Sequence, residues 1–195
     1  MAKPLGSSFS AQFWSLLNHA RTALVRTGLR LRGNQPGPRF HVHGGFPRIT
    51  GPGRITMGER VNWSCHNAPV DIEVARGALL ELGTRSFLNA GVEIICHQSI
   101  QIGDHCRIGP RCVLVDTNHH PVHEGQTARV APIRLGRNVW LGRNVIVLPG
   151  VTIGAHAVVA AGSVVACDIP GSEVWRGNPA IFVKPVGASA GYVRP

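Results

Sequence analysis

An aliphatic residue recurs at every sixth position through Leu135, Leu141, Val147, Ile153, Val159 and Val165, and this beat limits what the chain can become. The units read LGRNVW, LGRNVI, VLPGVT, IGAHAV, VAAGSV and VACDIP. Six is neither the two-residue beat of an alternating strand nor the 3.6 of a helix, so the chain advances in short units that each turn a corner. Three units close a triangular turn of a parallel β-helix. In that geometry each aliphatic residue points inward and stacks on its counterpart about 4.8 Å away in the next turn. Gly and β-branched residues recur too often, at spacings that build no apolar helical face, for a helical alternative.

The beat also runs through Ile49, Ile55 and Val61, through Leu82, Leu88 and Ile94, and, after a two-residue slip, through Ile102, Ile108 and Leu114. Fifth-position residues Val139, Val145, Val151, Ala157 and Ser163, with Cys106 and Cys112 earlier, are expected to point inward as well. The fold class expected is therefore all-β: a single-stranded parallel β-helix, with an N-terminal α-helical segment and a protruding loop. The expected organisation is a basic amphipathic helix and linker in residues 1–40, the coil with its excursion 116–132 in residues 41–185, and a C-terminal tail in 186–195.

Residues 1–60 hold nine basic residues against one acid, Glu59, while the chain as a whole carries +10. Ser7 or Ser8 is a candidate cap for a helix from about Phe9 to Leu31, with Phe13, Leu16, Leu17, Ala20 and Leu24 at helical spacing. Two roles fit. The helix packs across the coil end or a partner subunit and covers a strand edge, or it lies on an anionic membrane surface with Phe9, Phe13 and Trp14 inserted. No nucleic-acid partner is expected, because the basic residues lack an aromatic stacking platform. No stretch has the length of a membrane span and no signal-peptide pattern opens the chain, so a cytoplasmic protein, peripheral at most to the inner membrane, is expected. The five cysteines form no CxxC pair, and Cys106 and Cys112 read as small apolar filler.

Between Leu114 and Leu135 the beat breaks once, in the segment that holds Asp116, His119, His120, Pro121, His123 and Glu124. A long excursion from a rigid repeat is the natural place for function. Imidazole takes a proton from a hydroxyl near neutral pH, and Pro121 biases His120 toward an extended backbone, which makes this a general-base candidate. The competing readings are solvated surface histidines, or zinc held by His97, His119 and His123 or by His120 with a neighbouring subunit. The β-helix carbonic anhydrases use a His-x4-His spacing, whereas here the residue five after His119 is Glu124 and five after His120 is Gly125. Trp140 is expected to point outward, against the excursion or a coenzyme, and Asn138 and Asn144 to occupy left-handed turn positions.

The run NVWLGRNVIVLPGVTIGAHAVVAAGSVVACDIPGSEVWRGNPA, with the His-Pro of the excursion, closely resembles the hexapeptide-repeat O-acetyltransferases, a family that includes galactoside, maltose and polysaccharide-synthesis acetyltransferases. The resemblance covers about residues 80–185. It implies a homotrimer of left-handed parallel β-helices with sites between subunits, acetyl-CoA as a co-substrate with no permanently bound cofactor or metal, and His120 as the base that activates a hydroxyl of a sugar or glycan precursor. By position it also implies Asn89, His97 and His123 on the acceptor side. On the coenzyme side it implies Gly142, Arg143, Ala161, Ala166, Cys167 and Lys184. The family's Thr-Lys pair before the DIP turn is Ala166-Cys167 here, and Ile181 stands where an Arg is common, so Arg143 and Arg176 are candidates for the lost phosphate contacts. Amine or serine acceptors are the alternatives within transferases.

Overall fold

The computed structural model describes residues 6–189 and 191–194, with the side chains of the N-terminal helix described from Gln12 onward. The capping role expected of Ser7 or Ser8 and the insertion of Phe9 fall outside the described side chains. After the helix α1 (Gly6–Leu31), the chain winds into a left-handed parallel β-helix of three sheets. Each sheet is one long face of a triangular prism.

The first face runs His41–Gly44, Asn62–Cys65, Phe87–Leu88, Arg107–Ile108, Trp140–Leu141, Val158–Val159 and Glu173–Arg176, and ends with the antiparallel strand Ile181–Pro185. On the second face lie Arg48–Thr50, Asp71–Val74, Glu93–Cys96, Val113–Val115, Ile146–Val147 and Val164–Val165. The third holds Arg54–Met57, Leu79–Leu82, Ser99–Ile102, Ile133–Leu135 and Thr152–Ile153.

Inward residues form columns because parallel register places like on like. Val42, Trp63, Leu88, Ile108, Leu141 and Val159 stack on the first face. Ile49, Ile72, Ile94, Leu114, Val147 and Val165 stack on the second. The third face carries two columns where its strands are long, Ile55–Leu80–Ile100–Ile133 and Met57–Leu82–Ile102–Leu135–Ile153. Nearly all of these are buried, as are the fifth-position residues from Cys106 to Ser163. Burying a Val, Leu or Ile contributes about 1.5–3 kcal/mol, so the columns supply the drive for winding.

Corners are sharp, and one residue at many of them takes a left-handed backbone. Asn138 (φ 59) and Asn144 (φ 57) do so, but so do Arg85, His105, Arg111 and His156, so Asn is favoured there rather than required. At Gly142 the constraint is contact between turns: a Cβ there would lie 2.7 Å from the backbone N of Ala161 one turn above. Its smallness is therefore needed by the coil itself, whatever ligand approaches it.

The N-terminal helix covers the free edge of the first face through polar side chains. Thr22 accepts the backbone N–H of Val42 (3.0 Å) and Asn18 that of Gly44 (3.3 Å), the two outward donors of the edge strand. An i,i+4 step on a helix, about 6 Å, matches an i,i+2 step on a strand. Leu29 joins the core, and Val25 packs against it. Phe13, Leu16, Leu17 and Leu24, the residues whose spacing drew attention to this helix, stay exposed. Edge donors needed partners more than the apolar stripe needed cover.

Candidate active site

Three corner ridges join the faces, and the candidate residues divide between two of them. Between the second and third faces lie His97, the excursion with His120 and His123, and, in the last turn, Ala166 and Cys167. Asn89, Gly142, Arg143 and Ala161 lie on the ridge between the first and second faces. Lys184 is exposed on the terminal strand of the first face opposite Val174, and Arg176 on the neighbouring strand lies opposite Ile181.

The excursion has a rigid base. Thr117 bridges Val130 in antiparallel fashion, Asn118 N donates to Arg129 O (2.9 Å), and Ala131 N donates to Asp116 O (2.9 Å). Asp116 is fully buried. Its carboxylate accepts the backbone N–H groups of His97 (2.6 Å), Gln98 (2.8 Å) and Ser99 (2.9 Å). Asp116 thus ties the loop to the corner beneath it and does not orient an imidazole. At the tip of this base His119 takes φ 56 with its N–H on Thr117 Oγ1 (3.0 Å), and His120 N donates to Asn118 O (2.6 Å). This tight turn, followed by Pro121, leaves the His120 ring exposed and without a hydrogen-bond partner among the described residues.

A second imidazole is anchored below. His97 Nε2 lies 3.2 Å from Glu73 Oε1, and its ring meets that of His119 edge-on at 5.1 Å. His123 is exposed further along the loop. Among the described residues no three His, Cys, Asp or Glu side chains are gathered to hold a metal ion, so His97, His119 and His123 do not form the zinc site weighed from the sequence.

On the first face a cavity of ≈ 550 Å³ brings Asn89, Gly142 and Arg143 together with Phe87, Arg107 and Trp140. Trp140 points outward, 47% exposed, and borders this cavity. Its far wall comes from the C-terminal tail, Tyr192 and Arg194, which the sequence did not suggest. Asn138 holds the tail in place. Its side-chain amide donates to Tyr192 O (3.0 Å) and reaches His156 Nδ1 (2.9 Å), while its Oδ1 accepts Arg194 N (3.1 Å). The Arg194 guanidinium donates to His156 O (2.9 Å) and to Asn138 O. Burial, with Arg137 and Arg194 nearby, holds His156 below the usual imidazole range, in the neutral form whose Nδ1 can accept the Asn138 amide.

The cysteines inside the coil are inert. Burial pushes the Cys96 and Cys106 thiols up to about 12 and Cys112 to about 11, and the Cys106 and Cys112 thiols donate to Gly136 O and Gly142 O. Cys167 alone is exposed among the five.

Residues 132–167 match the family described as bacterial transferase hexapeptide (six repeats). The chain carries this hexapeptide repeat over those residues. It is 34% identical over 113 residues to the galactoside O-acetyltransferase of Escherichia coli K12, a match covering 56% of each chain. It is 35% identical over 105 residues to the putative colanic acid biosynthesis acetyltransferase WcaF of the same organism, covering 54% of this chain and 58% of the other. The chain thus spans little more than half the length of these relatives. Among solved structures, a galactoside acetyltransferase in complex with coenzyme A superposes with a TM-score of 0.53 at 29% identity, covering 73% of this chain and 66% of that one.

Proposed function

We propose that the protein is an acetyl-CoA-dependent O-acetyltransferase that acetylates a hydroxyl of a sugar or glycan precursor, working as a homotrimer with His120 as general base. The observation that carries this reading is the division of the site between ridges. His120, His97 and His123 rise from the ridge opposite the first face, while Asn89, Gly142 and Arg143 line a cavity that opens on that face. One prism cannot turn both toward a single ligand. A ring of copies can, because cyclic symmetry sets the loop ridge of each copy against the next one's groove. The open His120 ring then gains its surroundings from the neighbour.

In this arrangement the imidazole takes the proton from the acceptor hydroxyl as its oxygen attacks the thioester carbon. The tetrahedral oxyanion collapses, the C–S bond breaks, and the departing thiolate takes the proton back from the imidazolium. Arg143, Arg176 and Lys184 are the cations this reading gives to coenzyme phosphates, and Ala166 and Cys167 are small residues on the loop ridge, two turns beyond the excursion. The sugar acceptor is supported by the named activities of the relatives.

The test is release of free CoA thiol from acetyl-CoA with a panel of mono- and oligosaccharides, amino sugars and free serine. Thiol release that depends on a sugar hydroxyl, with an O-acetyl ester as product, is the expected result. Exclusive formation of an amide would overturn the hydroxyl acceptor, and no turnover of acetyl-CoA with any acceptor would overturn the activity.

A further inference from the structure

The N-terminal helix presents two stripes. Its packed stripe is Asn18, Thr22, Val25 and Leu29, and its outward stripe is Phe13, Leu17, Ala20, Leu24 and Leu31. Both follow the i, i+4, i+7, i+11 pattern, the second set five positions from the first, which places them about 140° apart around the helix. Among the described residues nothing covers this outward stripe. Phe13, Trp14 and Leu24 are 53%, 59% and 64% exposed, and Phe46, exposed on the adjoining coil turn, extends the aromatic margin.

Cations frame it. Arg21 flanks one side, its guanidinium on Asn18 Oδ1 (2.6 Å) and 5.4 Å above the Phe46 ring. On the other side Arg26 and Arg30, with Arg39 and His41 from the first coil turn, line a groove of ≈ 460 Å³. The helix contains no acidic residue.

We propose that α1 is an interfacial anchor that lies flat on an anionic phospholipid surface, with Phe13, Trp14, Leu17 and Leu24 in the acyl boundary and Arg21, Arg26 and Arg30 among the headgroup phosphates. Three things favour a lipid surface over a protein partner. The stripe ends in aromatic residues suited to an interface, its flanks carry one sign of charge, and the polar pair Asn18 and Thr22 is already committed to the coil edge. Among the described residues no helix is long and apolar enough to cross a membrane, so the helix rests on the surface instead of spanning it. In a cyclic assembly all copies of α1 share one end, and several weak contacts would add on one bilayer.

The experiment is co-sedimentation of the full chain with vesicles of phosphatidylcholine alone or mixed with phosphatidylglycerol, and it needs no enzymatic readout. The protein is expected to bind the anionic vesicles, to ignore the neutral ones, and to be released at about 1 M salt. The double variant Leu17→Glu/Leu24→Glu changes only exposed positions and should keep the wild-type circular dichroism while vesicle binding falls by at least about tenfold. Equal binding of wild type and variant, or equal binding to both vesicles, would overturn the proposal. So would wild type that ignores vesicles while the variant loses oligomeric mass in ultracentrifugation, an outcome that assigns the stripe to contacts between copies.

Discussion

His120→Ala is expected to lower acetyl transfer by about 10²–10⁴, the range that a positioned acid–base group contributes, while CoA affinity and the melting temperature stay at wild-type values. The structural neutrality follows from the site: the ring is exposed and its loop is held by backbone bonds at residues 116–118 and 129–131, none of which uses the imidazole. His119→Ala separates the two adjacent histidines. His119 meets His97 edge-on and its backbone occupies the left-handed region, so its ring helps shape the turn. The loss there should be smaller and should be shared by His97→Ala. Steady-state rates with calorimetric CoA titration check both. Turnover retained in His120→Ala, or a larger loss in His119→Ala, would move the base to another residue.

Asp116→Ala should be the most damaging single change outside the hydrophobic columns. Three backbone N–H groups at 97–99 lose their acceptor in a buried corner, and each buried donor left unsatisfied costs about 1–3 kcal/mol. A loss of at least about 3 kcal/mol corresponds to a fall of about 6–12 °C in melting temperature for a chain of this size. Because the same residue anchors the loop, kcat should drop with stability. Asp116→Asn keeps one oxygen acceptor and should recover part of both. Scanning calorimetry beside steady-state kinetics reads the outcome, and a melting temperature unchanged in Asp116→Ala would show that the corner is not held this way.

How far this architecture could be read from residues alone depended on strand length. From Leu135 to Val165 each face contributes one inward strand residue, so the six-step beat and the columns coincide. In the first turns the strands are longer and the third face places two residues inward, such as Ile55 and Met57, so the stride lengthens and the beat slips. Val61, which keeps the six-step series, is a buried corner residue, and Trp63, two residues on, takes the column place between Val42 and Leu88. The loop was legible because it interrupts a pattern that otherwise persists. Tyr192 and Arg194 were not, since they lie past the repeat and their position rests on bonds to Asn138 more than fifty residues earlier. Asn138 itself looked like a turn residue, and its φ of 59 agrees, but its side chain is fully buried and organises the tail. Nor could helical spacing reveal which stripe of α1 would pack, because the deciding factor was the pair of unpaired donors on the edge strand, Val42 and Gly44.

A complementation measurement tests the composite site most directly. His120→Ala and a cavity variant, Asn89→Ala with Arg143→Glu, are each expected to be inactive alone while keeping the wild-type circular dichroism. Co-expressed at equal levels and purified together, they assort at random into rings. A site that takes its imidazole from one copy and its cavity from the next is then intact in about a quarter of cases. Activity near a quarter of wild type is the predicted result. Activity no higher than that of the separate variants would place the whole site within a single chain and contradict the account.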